Sequence, residues 1–189
     1  MRQTGQLQVW DPLVRIFHWL LVACFLIAYI MEDEMLNLHV LMGSIVLGLI
    51  VFRLIWGVVG TEHARFSDFT YSFREIAGHL LSLMCLRSAR HTGHTPAGSV
   101  MIFFLLVGLL LLTMSGLLLY SLENSIAVLS GITLESLLLI ETMHGLMADV
   151  LMFAVIFHVA GVLVETVLQR QNLMLAMITG YKKGGEENR

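Results

Sequence analysis

The chain has little charge. Only 13% of its 189 residues are Asp, Glu, Lys or Arg, whereas 57% are hydrophobic. An average soluble domain carries about 25% charged residues, so this composition excludes an ordinary soluble protein. The net charge of -3 lacks the basic excess that nucleic-acid binding requires. The two cysteines, Cys24 and Cys85, form no Cys-x-x-Cys motif, which excludes a disulfide framework and a zinc finger.

Long apolar stretches take the place of the missing charge. Four of them are long enough to cross a bilayer, which takes about 20 residues, and they cover residues 13–31, 38–59, 99–120 and 142–163. We therefore predict an all-α integral membrane four-helix bundle, with residues 1–189 forming a single transmembrane domain. The acidic segment after the first stretch, Glu32–Glu34, offers no small-residue cleavage site. We interpret that stretch as an uncleaved anchor.

The basic residues are distributed asymmetrically. All eleven Lys and Arg residues fall on one side of the four stretches, whereas the connections on the other side carry only acidic charges, at Glu32, Asp33, Glu34, Glu123, Glu135 and Glu141. By the positive-inside rule, both termini of this multi-pass protein are predicted to be cytoplasmic. Residues 60–98 then form a cytoplasmic loop, residues 121–141 a periplasmic loop and residues 164–189 a cytoplasmic tail.

Three connecting segments have patterns of their own. Residues 125–140 are apolar but short, and they contain Gly131 and Glu135, which indicates a helix or re-entrant element on the outer surface. Residues 73–87 have apolar side chains at helical spacing, which predicts a short amphipathic helix on the inner membrane face. The low-complexity segment 182–187 is predicted to be disordered.

Four histidines lie inside the apolar stretches: His18, His39, His144 and His158. An imidazole in hydrocarbon is costly and needs a partner. In the predicted topology, His39 and His144 both lie near the outer surface, and His18 and His158 both lie toward the inner one. His158 follows His144 by fourteen residues, a rise of about 21 Å that ends about 40° from the same helical face.

Imidazole is a common metal ligand, and facing helices of a bundle commonly hold a cofactor. The two depths therefore predict two haems, one held by His39 and His144 on the periplasmic side and one by His18 and His158 on the cytoplasmic side. Because the chain has no Cys-x-x-Cys-His motif, the haems would be non-covalent and of the b type. Iron with two axial imidazoles has no open position and transfers electrons. A single membrane histidine would instead suggest a proton relay or an interhelical hydrogen bond.

Other residues near these histidines have two readings each. Arg15 and Arg53 could neutralise haem propionates, or they could simply follow the positive-inside rule. Asp149, a carboxylate within the fourth stretch, could relay protons or contact a quinone, or be hydrogen-bonded to a neighbouring helix. Five glycines could open gaps for a porphyrin or serve ordinary helix packing: Gly43, Gly48, Gly108, Gly116 and Gly161. The remaining histidines, His63, His79, His91 and His94, are expected at the surface or interface rather than as ligands.

Four segments carry a family resemblance: VWDPLVRIFHW at 9–19, FRLIWGVVGTEHARFSDF at 52–69, GHTPAGS at 93–99 and NLMLAMITGYK at 172–182. Together they resemble the bacterial cytochrome b561 family, in the branch that contains the cytochrome b subunits of nickel–iron hydrogenases. The resemblance implies a four-helix bundle with two b haems, whose ligands would be the four membrane histidines. It also implies a quinone-linked electron-transfer subunit whose periplasmic partner is a c-type cytochrome or a hydrogenase. The chain departs from the expected pattern at Thr95 and Asp149.

Two other functions remain open at this level. The outer haem could oxidise superoxide without a protein partner, although an acidic outer surface would repel an anion. Alternatively, the chain could be a haem-free membrane anchor, or a transporter that uses its histidines for protons or metal. A transporter should show internal repeats or broken helices, and the sequence has neither pattern. The sequence is compatible with a monomer or an oligomer surrounded by lipid.

Overall fold

The computed structural model describes residues 6–31, 35–85, 95–124 and 133–183. Within these ranges the elements follow in the order β1 (Gln6–Gln8), α1 (Pro12–Ile30), α2 (Leu36–Val59), α3 (Phe73–Met84), α4 (Pro96–Asn124), α5 (Leu134–Gln169), α6 (Leu173–Thr179) and β2 (Tyr181–Lys183). Two 3₁₀ turns, Glu62–Ala64 and Phe66–Phe69, connect α2 to α3.

Four of the described helices, α1, α2, α4 and α5, are long and apolar enough to cross a bilayer, with hydropathy between 2.2 and 2.7. Both α1 and α4 begin with a proline, whose missing N–H is no loss at the first helical position. The predicted all-α membrane bundle is thereby confirmed. With 36 residues, α5 is about 54 Å long, so it extends beyond a hydrocarbon layer of about 30 Å.

The segments between the spans differ in part from expectation. The amphipathic helix expected over 73–87 is present as α3, which begins with a capping box between Ser72 and Glu75. Helix α5 begins at Leu134, so the described part of segment 125–140 forms its first turns instead of a separate outer element. Residues 125–132, like residues 86 and 87, lie outside the described part of the chain.

The segment predicted to be disordered begins with ordered residues. Lys182 and Lys183 belong to β2, which pairs antiparallel with β1. The ammonium group of Lys182 lies 5.5 Å from the centre of the Trp10 ring. Burial lowers the pKa of Lys182, against the opposing effect of the Glu165 carboxylate. Residues 184–187 lie outside the described residues.

The chain forms two compact units. The first, called here the helical unit, comprises His18–Phe52 and Phe104–Val155. All four spanning helices contribute to its core, which consists of Cys24, Phe25, Val46, Ile50, Leu109, Leu112, Ala148 and Leu151. Large apolar side chains also cover its outer surface. This distribution suits a bundle surrounded by lipid, in which close packing rather than hydrophobicity brings the helices together.

The second, called here the terminal unit, comprises Met1–Phe17, Arg53–Phe103 and Ile156–Arg189. Asp11 joins two of its segments, because its carboxylate accepts hydrogen bonds from the Val14 amide at 2.9 Å, the Trp56 indole at 3.2 Å and the Thr61 hydroxyl at 2.6 Å. Asp11 is thus the N-terminal cap of α1 and an anchor for the end of α2. Burial opposes ionisation of Asp11, but these hydrogen bonds outweigh it and lower its pKa below the usual 3.8.

A lowered pKa makes the Asp11 carboxylate stabilising above pH 3.8, and this stability is lost as the pH falls through the folded-state pKa. We expect Asp11→Asn to lower the free energy of unfolding at pH 6 by about 1 kcal/mol, since Trp56 and Thr61 both donate to Oδ2 and lose that acceptor. At pH 3 the difference from the wild type should shrink. Unfolding in detergent micelles at the two pH values measures it, with the exposed Glu62→Gln as control. An equal deficit at both pH values would contradict the assignment.

Candidate cofactor site

His39 and His144 come together in the helical unit. His39 lies near the start of α2 and His144 lies on α5, and their ring centroids are 6.1 Å apart with the ring planes at 72°. A metal ion bound to one nitrogen of each ring at about 2.0–2.1 Å would place the centroids roughly 6 Å apart. The spacing therefore suits one metal ion between two axial imidazoles, as the depth argument predicted for this pair.

The hydrogen bond of His39 defines which of its nitrogens could bind that metal. Its Nδ1 lies 2.9 Å from the backbone carbonyl oxygen of Ala28 on α1. A carbonyl oxygen can only accept, so Nδ1 of the neutral ring carries the proton. Nε2 then keeps its lone pair, which is the form that binds a metal.

His144 is held in the same form by a side chain. Its Nδ1 lies 2.8 Å from the Ser115 hydroxyl oxygen on α4. The same hydroxyl lies 2.8 Å from the Leu112 carbonyl, to which it can donate its one proton while its oxygen accepts from His144. Both imidazoles therefore have Nδ1 occupied by the protein and Nε2 available to a ligand.

An apolar cleft surrounds the two rings. Besides the histidines, its walls include Phe25, Ala28, Val40, Gly43, Val46, Leu47, Leu109, Leu112, Thr113, Gly116, Leu117 and Tyr120. A cleft of this composition with two neutral imidazoles fits a flat, apolar macrocycle that carries a metal at its centre. The donor set and the walls are those a non-covalent haem requires.

The glycines near the cleft differ in role, since some leave open space and others allow close helix packing. A Cβ on Gly43 would meet nothing within 4 Å, so this residue leaves open space in the wall. A Cβ on Gly116 would lie 2.8 Å from Cε1 of His144, and one on Gly108 would lie 2.5 Å from the Leu151 side chain. Gly116 and Gly108 therefore serve the close approach of α4 to α5 rather than a gap.

The other two membrane histidines lie in different units. His18 is half-buried in the helical unit, where its ring meets the Trp19 ring edge-on at 5.1 Å. His158 is half-buried in the terminal unit. The pairing of His18 with His158 stays a prediction from the sequence.

Both arginines predicted to face propionates make contacts inside the terminal unit. Arg53 is buried, donates to the Ala64 carbonyl at 3.0 Å and lies 4.8 Å over the Phe66 ring. The Arg15 guanidinium donates to the Ile178 carbonyl, but its buried Nε has no hydrogen-bond partner among the described residues. A buried donor of this kind fits an anionic group such as a propionate. That role stays a prediction for both residues.

A polar cluster at the end of α5 escaped the sequence analysis. The buried Glu165 carboxylate accepts from Thr95 and from Gln169, both at 2.8 Å, and lies 3.2 Å from Nε2 of His79 on α3. His79 is itself buried, so the expectation that it lies at the surface or interface was wrong. The signal was weak, because 86 residues separate His79 from Glu165. The side chain of His63 is not described, and His91 and His94 lie outside the described ranges.

Asp149 has a partner on a neighbouring helix. The Tyr29 hydroxyl of α1 donates to Oδ1 of Asp149 on α5 at 2.8 Å. Of the two readings of Asp149, the interhelical hydrogen bond is therefore present. Asp149 is nevertheless exposed at the surface of α5. Translocon scales put the cost of an aspartate at the centre of a spanning helix at about 2.5–3.5 kcal/mol, so this position carries a penalty.

Four apolar spans and an interior imidazole pair define a membrane metalloprotein of the cytochrome type. A sequence model of the family described as prokaryotic cytochrome b561 matches residues 9–180, and the chain belongs to that family. No individual curated protein and no solved structure matches significantly. The chain is thus a membrane electron-transfer cytochrome that binds haem of the b type, as its resemblance implied.

The Ser115 hydrogen bond gives a test of the His39–His144 site. We expect Ser115→Ala to weaken haem binding by about tenfold, because metal-ligating imidazoles depend on their second hydrogen bond. Haem titration into apoprotein measures this affinity. The control is Ser121→Ala, which removes a hydroxyl of the same helix that bonds only to the Leu117 carbonyl in the described structure. Equal affinities for both variants would show that Ser115 does not support a ligand.

Proposed function

We propose that the protein is a di-haem cytochrome b of the bacterial inner membrane, which passes electrons between membrane quinone and a periplasmic redox protein. The observation that carries this proposal is the His39–His144 pair, with a centroid separation of 6.1 Å and both Nδ1 atoms occupied by neighbouring helices. Haem iron held between two imidazoles supplies reversible one-electron chemistry and has no position open to a substrate.

In this proposal each pair of histidines holds one haem. His39 and His144 hold the haem nearer the periplasm, and His18 and His158 hold the haem nearer the cytoplasm. His144 and His158 both belong to α5, so one helix would supply one ligand to each haem. Arg53 and Arg15, whose Nε has no partner in the part of the chain that the structure describes, would neutralise propionates of the cytoplasmic haem.

The end of the bundle near His144 supports a protein partner. Glu141 lies one turn before His144 on α5, Glu135 lies further out, and both are exposed. Exposed carboxylates complement a basic face, such as that of a c-type cytochrome or a hydrogenase, and they accelerate its encounter. The same charges repel an anion, which argues against superoxide as the donor.

Haem quantified per chain, with reduced-minus-oxidised spectra, tests the proposal. We expect two haems in the wild type, because there are two ligand pairs. His39→Ala and His144→Ala should each remove or perturb the same haem, and His18→Ala and His158→Ala the other.

His79→Gln is the matched control for loss of a buried histidine, and it should keep both haems. A single haem per chain, or losses that group differently, would contradict the ligand assignment. Anaerobic mixing with superoxide and with a short-tail quinol then separates the functions. Rapid haem reduction by superoxide alone would replace the quinone-linked proposal.

A further inference from the structure

We propose that Tyr29 and Asp149 form the contact site for a membrane hydroquinone, with Asp149 accepting the proton of its hydroxyl group. This inference rests on the proposed function, which includes exchange with quinone but assigns no site for it. The two residues are called here the Tyr29–Asp149 pair.

The pair lies beside the His39–His144 site. Asp149 follows His144 by five residues on α5, a rise of about 7.5 Å. Tyr29 directly follows Ala28, whose carbonyl oxygen accepts from Nδ1 of His39. The pair is therefore joined to both outer imidazoles by the two helices that carry it.

The hydrogen bonding of Asp149 leaves room for a ligand. Tyr29 donates to Oδ1, and no other described residue donates to the Asp149 carboxylate. A carboxylate has about four lone-pair sites on two oxygens, so Oδ2 can accept another donor. The exposure of Asp149 means that this donor would arrive from outside the bundle, at a depth where water is scarce.

The surroundings suit a flat, apolar ring. Leu26, Leu146 and Phe153 lie three or four residues from a member of the pair on the same helix, and each is exposed. Gly145, one turn before Asp149, would meet nothing within 4 Å if it carried a Cβ, so the α5 surface is open beside the carboxylate.

These features select a class of ligand. The ligand must dissolve in the bilayer, present an O–H donor to a carboxylate and have a use beside a one-electron redox site. A membrane hydroquinone meets all three conditions. A transmembrane helix of a partner protein could cover the same surface, but it would supply neither a proton nor an electron beside the redox site.

Oxidation of a hydroquinone at this site needs an acceptor for its protons and an acceptor for its electrons. Oxidation of one hydroquinone to its quinone releases two protons and two electrons. Asp149 would take the first hydroxyl proton at Oδ2 while Tyr29 keeps its hydrogen bond to Oδ1, and a haem held by His39 and His144 would supply the one-electron acceptor. Once Asp149 has released that proton to bulk water and the periplasmic redox partner has reoxidised the acceptor, Asp149 would take the second proton and the acceptor the second electron. In the opposite direction, protonated Asp149 returns its proton to the quinone.

The test uses purified protein with both haems, with decylubiquinol and menadiol as probes. We expect Asp149→Asn to slow haem reduction by the quinol that reduces the wild type at least tenfold, because an amide cannot accept the proton. Tyr29→Phe should slow it at least threefold. Haem content and full reduction by dithionite should be unchanged. Glu62→Gln, which removes an equal charge from an exposed carboxylate outside the spanning helices, should react like the wild type.

Photolabelling adds a readout that does not depend on turnover. A photoreactive azidoquinone should label peptides of α1 and α5 around the Tyr29–Asp149 pair in oxidised wild-type protein, and Asp149→Leu should lose that label. Label elsewhere, an unchanged rate in Asp149→Asn, or equal slowing in Glu62→Gln would overturn the site and leave the proposed function standing. A wild type that neither quinol reduces and no azidoquinone labels would instead remove quinone from the proposed function.

Discussion

An imidazole in the apolar interior of a membrane must have both of its nitrogens satisfied, and this requirement organises the helical unit. His39 on α2 receives its Nδ1 partner from the Ala28 carbonyl of α1, and His144 on α5 receives its partner from Ser115 of α4. All four helices therefore contribute to one pair of rings. Because both Nδ1 atoms are occupied, the two Nε2 atoms form a ligand set that one metal ion between the rings would satisfy.

Helix packing rather than any single hydrogen bond maintains that arrangement. A membrane hydrogen bond contributes about 0.6 kcal/mol on average, which is too little to position a helix. Ser115 reaches His144 because Gly116 and Gly108 have no Cβ atom, so α4 can pack close against α5. Below the rings, Ile50 and Leu151 are almost fully buried in a core that joins all four helices. The packing that forms the bundle core therefore also positions the two histidines.

The sequence predicts features set by neighbouring residues better than contacts between residues far apart in the chain. Run length alone predicts the four spans, and the constant rise of a helix predicts that His39 and His144 share a depth. The start of α5 at Leu134 was missed, because hydropathy reports apolar segments and not helical continuity. The partner of His39 is a backbone carbonyl, which has no sequence signature. The Tyr29–Asp149 and His79–Glu165 contacts join residues 120 and 86 positions apart.

Two carboxylates on α5 differ in how many of their hydrogen-bond acceptor sites are filled. Glu165 is buried and accepts from Thr95 and Gln169, with His79 also within reach, so its oxygens are committed to holding α3, α4 and α5 together. Asp149 is exposed and has one donor among the described residues. A carboxylate whose hydrogen bonds are all made within the fold can bind a new partner only if one of those bonds breaks. A carboxylate with an unfilled acceptor site can bind a new partner while its existing hydrogen bond remains. Helix α5 therefore carries a structural carboxylate at one end and, five residues after His144, a carboxylate with lone-pair sites to spare among the described residues.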